Sequence, residues 1–383
     1  MKKYLCFILA ALSGFVQAQD LSAVRQDIST LTSRALWGRG YTQNGMAKTA
    51  DYLVTKFRSY GLQPMADTSY RQQFSYPVNT FPGKMELVLN GKQLIPSKDF
   101  IVEPSSRGLT GNNIKLEQSD SITFMAPKQR VLLSLQNKLT WSVASKVEDY
   151  TVLLLNKTLL KGKPETLNLN IVNQFVPDFK ASNICGLIKG SRYPDSVIML
   201  TAHYDHLGGM GAGTYFPGAN DNASGVAMLL SLARYFTKNP PAYSIAFICF
   251  AGEEAGLVGS AYYTEHPLTE LARIKFMINM DMVGTGETGI TVVNATLHQK
   301  QFALLNQINE KNNYLIKINS RGKAANSDHY YFTEKGVPAF FIYTGGGIAA
   351  YHDILDLPST LPLTAFNDLR RLIIDFTAAL TKE

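Results

Sequence analysis

Long apolar runs, basic blocks and low-complexity tracts are all missing from this 383-residue chain. Beyond the N-terminal stretch, no segment has the uninterrupted apolar length of a bilayer-crossing helix, so no membrane span is expected. Lysine and arginine are scattered, without a basic cluster or an aromatic-basic alternation, so no nucleic-acid partner is expected. No internal repeat is present. Charged residues are only 17 % of the chain against 45 % hydrophobic ones, which excludes disorder and implies one large domain or two smaller ones. Cysteine is scarce. Of three, Cys6 opens the N-terminal apolar stretch, whereas a lipid-bearing cysteine would follow it. Cys185 and Cys249 fall in apolar, strand-like runs and read as buried, inert thiols. An oxidising compartment would permit a disulfide between them if their strands were neighbours.

What is present begins with a leader. Residues 1–18 combine Lys2 and Lys3, a short apolar stretch and a Val16-x-Ala18 end, the pattern of a signal peptide cleaved after Ala18. A secreted or periplasmic location follows, and loss of the two lysines takes the formal charge from +7 to +5. Residues 19–75 read as helical, with Ala50, Leu53 and Phe57 at helical spacing and Gly61 and Pro64 as a stop. Residues 76–165 read as a β-rich insert of short runs broken by Asn, Gly, Pro and Ser. From 166 to 383 strands alternate with helices. Strands are expected at Ser196–Thr201, Tyr243–Phe250, Ile274–Met280 and Val337–Tyr343, and helices at Ser224–Thr237 and Leu363–Leu380. That order predicts an α/β fold with a mostly parallel sheet covered on both faces. Ligands bind such sheets beyond the carboxyl ends of the strands.

Chemistry-bearing residues gather at those ends. His203 and Asp205 close the first strand, Glu253 and Glu254 follow the second through a glycine turn, Asp281 follows the third, and His352 lies beyond the fourth. Asp221, at the head of the intervening helix, adds a carboxylate. Two adjacent glutamates after a buried strand are costly unless a cation compensates them, although carboxylates also open helices. Two histidines and three carboxylates form an N/O donor set suited to zinc. One zinc needs about three protein ligands plus water, so five donors fit two ions sharing a bridging carboxylate.

The ordered motifs Ala-His203-Tyr-Asp205-His, Gly-Ala-Asn-Asp221-Asn-Ala-Ser-Gly, Ala-Gly-Glu253-Glu254-Ala-Gly-Leu-Val-Gly-Ser, Asn-Met-Asp281-Met-Val-Gly and Tyr351-His352-Asp resemble the secreted co-catalytic di-zinc aminopeptidases. The wider family includes glutamate carboxypeptidases, a dipeptidase and the fold-related glutaminyl cyclases. The resemblance runs from about Leu167 to the C-terminus, with a further match around Gly38-Arg39-Gly40. It implies a three-layer α/β/α zinc exopeptidase fold and two Zn²⁺ per chain. His203 and Asp281 would bind one ion, Glu254 and His352 the other, with Asp221 bridging. Glu253 would be the general base toward a metal-bridging hydroxide, Asp205 would orient His203, and Tyr351 would donate a hydrogen bond to the tetrahedral intermediate. A cis peptide at Asp221-Asn222 is also implied. Peptide substrates are the expected partners, and N-terminal residue hydrolysis the leading activity.

Other signals are weaker. Ser327-Asp328-His329 resembles a family segment close to the substrate pocket, and Arg321 and Lys323 before it suit a substrate carboxylate. Helix capping and a solvated loop explain them equally. His206 is expected to point away from His203 if the segment stays extended, and His266 and His298 read as ordinary polar residues. The insert occupies a position where relatives carry a protease-associated domain and reads as a lid narrowing the cleft. Rival functions are glutaminyl cyclisation, which typically uses one zinc and an indole-lined pocket, a dipeptidase or carboxypeptidase on the same scaffold, and a non-catalytic binding protein.

Overall fold

The computed structural model describes residues 21–160 and 162–381, so the expected signal peptide at 1–18 lies outside the described residues. The alternating region folds around one mixed sheet. Its order is Gln63–Pro64, Gln174–Ile188, Tyr243–Phe250, Tyr193–His203, Ile274–Met280, Ala339–Thr344, Ile290–Val293 and Ile318–Ser320, with Arg71–Thr80 also paired to Gln174–Ile188. The four strands from Tyr243–Phe250 to Ala339–Thr344 run parallel. Apart from the exposed start of Tyr193–His203, they are buried almost throughout because both faces are covered. Ile245, Phe247 and Cys249 join one core, while Ala246, Ile248 and Phe250 join the opposite one. That alternation is the two-residue period of a strand acting on a continuous apolar run.

Helices supply the cover. On the first face lie the helix at 21–31, Gly45–Tyr60, Gly225–Lys238 and Phe366–Leu380. Val258–Glu265 and His329–Glu334 cover the other face through Tyr263 and Phe332. Gly45–Tyr60 stops where the glycine signal places it. Gly61 adopts φ 80°, a left-handed cap that costs glycine least.

The cysteines follow from the register. Their strands are neighbours, yet Ile184 pairs with Cys249 and Cys185 with Ile248. The two side chains therefore project to opposite faces, each buried in a different core. Both thiols are free.

The β-rich run divides at residues other than 76 and 165. Arg71–Thr80 pairs with Gln174–Ile188 in the main sheet, and Thr166–Ile171 pairs between Met85–Leu89 and Leu109–Lys115 in a separate four-stranded sheet. A second, five-stranded sheet contains Thr151–Asn156 and Val131–Gln136. The two sheets share a core with Leu207, Met210 and Phe216, which follow His203. The insert is thus rooted beside the candidate site. Gln174–Ile188 escapes a simple pattern because its first half is solvent-facing and its pairing slips between Val176 and Phe179, around Pro177.

Candidate metal centre

The parallel strands bring His203, Glu253, Glu254 and Asp281 to one sheet edge. His203 is the last residue of its strand and pairs with Phe250. Gly252, at φ 73°, turns the neighbouring chain so that Glu253 and Glu254 follow. Asp281 succeeds Met280, its N–H still bonded to the Ile342 carbonyl at 3.2 Å.

Asp221 arrives from the irregular helical turn Ala219–Ser224, and each polar residue of that turn has a task. Asn222 donates to the Met280 carbonyl at 3.0 Å, and its side-chain oxygen accepts from Gly225 at 2.9 Å and Met282 at 3.2 Å. Asn220 accepts from Gly284 and Ser224 from Val283, each at 2.9 Å. The Asp356 carboxylate receives the N–H groups of Asn220 and Asp221 at 2.9 and 3.0 Å. The Asp221-Asn222 peptide is cis, as the resemblance implies.

Arg39 holds the turn from beneath. It is fully buried and donates to the carbonyls of Tyr204, Leu31, Pro217, Gly218 and Asp221 at 2.7 to 3.2 Å. Gly38 and Gly40 flank it because their backbone rests on Gly208, where a Cβ would collide. Burial lowers the Arg39 pKa to about 10 against the pull of Asp221 and Asp356, so it remains a cation.

The side chains converge as paired donors. His203 Nε2 lies 3.5 Å from Asp221 Oδ1 and 3.3 Å from Asp281 Oδ1. His352 Nε2 lies 3.2 Å from Asp221 Oδ2 and 3.2 Å from Glu254 Oε2. Two ligands at zinc bond lengths in a tetrahedral site stand about 3.3 Å apart, so these separations fit donors at neighbouring corners around one ion. Asp281 Oδ1 is buried and has no hydrogen-bond partner, a costly state that a cation relieves. Electrostatics agree. Burial alone would depress His203 and His352, yet the Asp281 charge raises His203, and hydrogen bonds to Asp221 and Glu254 raise His352 to about 11. The cluster draws in positive charge.

The two glutamates diverge. Desolvation, followed by the Asp281 and Glu254 charges, pushes Glu253 well above the usual carboxylate range despite His203. Desolvation raises Glu254 too, but hydrogen bonds from His206 and His352 outweigh it and hold Glu254 well below that range. Asp205 lies behind both, its carboxylate receiving the N–H groups of Glu253 and Glu254 at 3.2 and 3.3 Å. It also stands 3.7 Å from His203 Nδ1, which donates to the Asp205 carbonyl at 3.2 Å. That bond leaves Nε2 facing the carboxylates.

His206 does not point away as expected. The chain leaves strand geometry after His203, which ends the alternation, and His206 Nδ1 lies 2.7 Å from Glu254 Oε1. His203, Glu253 and Asp281 form one group of ligating atoms, and His206, Asp221 and Glu254 another, each within 4.8 Å. Since His352 lines the cavity and His206 is buried behind it, His206 orients Glu254 from the rear while His352 meets Glu254 Oε2 from the front.

Two supports act through contacts distant in sequence. Thr201, Asn279 and Ser327 form a chain of 2.7 and 2.8 Å bonds that ends with Ser327 donating to Asp281 Oδ2 at 3.0 Å. From the insert, the Trp141 carbonyl accepts from His352 Nδ1 at 2.9 Å, and the Trp141 N–H returns a 2.9 Å bond to the His352 carbonyl. The Trp141 indole is anchored to the Val102 carbonyl at 2.9 Å and stacks on Phe216. Trp141→Ala keeps the carbonyl but removes the indole that anchors it to Val102, and is expected to weaken zinc binding by about tenfold, measured by competition with a chelator; an unchanged affinity would show that the indole is not needed to place that carbonyl. Deleting the insert would strip His352 of its acceptor as well, so deletion alone does not test a lid.

The site opens into a cavity of about 560 Å³ lined by Glu253, Arg321, Phe341, Tyr343, Tyr351 and His352 among others. Tyr351 stacks on His352 at 4.0 Å. Desolvation and then the Asp221 and Glu254 charges raise its phenol above the usual value, so it stays a donor. Ser327, Asp328 and His329 are buried behind the wall. Lys323 pairs with Glu334. His266 stacks on Tyr262, and His298 packs against Phe276, which removes both from the site.

Comparison with known proteins follows the same lines. Residues 183–377 match the model of peptidase family M28. The aminopeptidase YwaD of Bacillus subtilis is 33 % identical over 187 residues, 47 % of this chain and 38 % of that protein. A probable zinc metalloprotease of Pyricularia oryzae is 40 % identical over 114 residues, 29 % of this chain and 23 % of its own. The chain thus spans less than two fifths of the length of these curated relatives. Among solved structures, a zinc aminopeptidase from Bacillus subtilis superposes with a TM-score of 0.68 at 20 % identity, covering 94 % of both chains. At that identity the likeness shows the shared fold.

Proposed function

Since the chain belongs to peptidase family M28, we propose that it is a zinc-dependent exopeptidase, an aminopeptidase that hydrolyses the N-terminal peptide bond. The observation that carries this reading is the placement of Asp221, one oxygen toward His203 and the other toward His352, with Glu253 on the cavity beside them. His203 and Asp281 would hold one ion, Glu254 and His352 the second, and Asp221 both. Zinc bound there would acidify water and polarise the scissile carbonyl.

The chain's own residues do the rest. Asp205, Ser327, His206 and the Trp141 carbonyl fix the orientation of the donors, so little reorganisation remains for the reaction. Glu253 takes the proton from the attacking water at its carboxylate and delivers it to the leaving amine. Tyr351 supplies a hydrogen bond to the developing oxyanion.

The cyclase alternative has less support. Trp37 and Trp141 are both buried, their indoles donating to Thr42 and the Val102 carbonyl, and neither lines the cavity. One screen separates the readings. Aminoacyl anilides and dipeptides with a free amine should be cleaved, and N-acetylated counterparts should not. Cleavage of blocked peptides would exclude a strict aminopeptidase, and ammonia release from the side-chain amide of an N-terminal glutamine peptide with its peptide bond intact would select the cyclase.

A further inference from the structure

The cavity lined by the candidate metal-binding carboxylates also carries a cationic side chain that the reaction does not use. Arg321 follows the short strand Ile318–Ser320, and its N–H bonds to the Val292 carbonyl at 2.9 Å. The backbone there is part of the sheet and is not a free loop. Its guanidinium donates to the Tyr343 hydroxyl at 3.2 Å, and Tyr343 lines the same cavity.

Arg321 is the one lysine or arginine in that lining among the described residues. No carboxylate of the described residues pairs with it. Lys323, two residues on, is already neutralised by Glu334. The carboxylates of the lining are Asp221, Glu253, Glu254 and Asp281, and its histidines, His203 and His352, face those carboxylates, so Arg321 and the metal positions are what the cavity offers an anionic group. A tethered guanidinium with donors to spare matches a carboxylate in a two-pronged arrangement.

We infer that Arg321, steadied by Tyr343, forms a carboxylate-recognising subsite of the cavity and confers a preference for substrates that present a carboxylate there. The inference rests on the exopeptidase reading and deepens it. Two groups of a peptide share that chemistry, the C-terminal carboxylate of a short substrate and an acidic side chain.

The test uses two matched pairs with the metal-loaded protein, leucyl-leucine against its C-terminal amide and a glutamyl anilide against the glutaminyl anilide. In the wild type, the charged member of one pair should be favoured, and the pair that responds identifies the source. Arg321→Gln should lower that charged-to-neutral ratio of kcat/KM by about tenfold with little change for the neutral member, and Arg321→Lys should restore part of it. Charged-to-neutral ratios identical in wild type and Arg321→Gln for both pairs would overturn the inference.

Calorimetric Kd values for the same pairs, compared between Glu253→Gln and the Glu253→Gln, Arg321→Gln double variant, read recognition without turnover. If the wild type cleaves none of the four compounds, the exopeptidase reading fails by itself. The Kd comparison then still decides the subsite, since a loss of about tenfold for a charged ligand sustains it and equal values refute it.

Discussion

Glu253→Gln is expected to reduce turnover by about a thousandfold while zinc content stays at the wild-type level. Glutamine keeps the shape of the side chain, and the residue's N–H keeps its bond to Asp205 Oδ1, so the fold of the turn is untouched. Only the capacity to accept a proton is removed. The neighbouring substitution should behave differently. Glu254 faces His352 at 3.2 Å and accepts from His206 at 2.7 Å, and its charge is held far below the usual carboxylate range. Glu254→Gln should therefore lose metal first and activity as a consequence. Atomic absorption on both purified variants, alongside kcat, separates the two roles. Glu253→Gln retaining more than about a tenth of wild-type turnover would remove it as the general base.

Arg39→Met is expected to cost about 4 kcal/mol of folding stability, a large share of what a typical domain possesses. Five carbonyl groups lose their donor at once, at Leu31, Tyr204, Pro217, Gly218 and Asp221, and the hydrophobic replacement satisfies none of them. Arg39→Lys should not rescue it, because three donors on a flexible stem cannot reach acceptors spread around a planar fork. The damage should extend to zinc affinity, since two of those carbonyls belong to the turn that presents Asp221. Urea unfolding of metal-stripped protein isolates the folding effect, and chelator competition reads the site. A loss below about 1 kcal/mol would falsify Arg39 as the clamp of that turn.

The parallel strands were legible because each is a continuous apolar run long enough to be buried on both faces; Tyr243–Phe250 and Ile274–Met280 have the same bounds in sequence and structure. The donors were legible because each follows such a strand or opens a helix, and the topology then leaves them one edge to occupy. His206 was not. Its orientation depends on where the chain leaves the strand, and an extended reading of residues 203–206 puts it on the wrong side. Trp141 was hidden for another reason. Its useful group is a main-chain carbonyl 211 positions from His352, and every residue type carries one. Asp356 and Ser327 likewise act through long-range contacts that no local pattern records.

The paired glutamates, the Asp221 turn and the two histidines were determined by sequence alone, because their chemistry is a property of side-chain type and order along a parallel sheet. Tertiary structure decided how that chemistry is divided. Glu253 and Glu254 are identical residues with opposite proton affinities because His206 and His352 reach only the second. Arg321 and Lys323 look equally suited to a carboxylate in the sequence, and the fold separates them by pairing Lys323 with Glu334 and setting Arg321 in the lining of the cavity. Such differences arise from which groups meet in space and how much water they share, and the covalent order of the chain does not specify either.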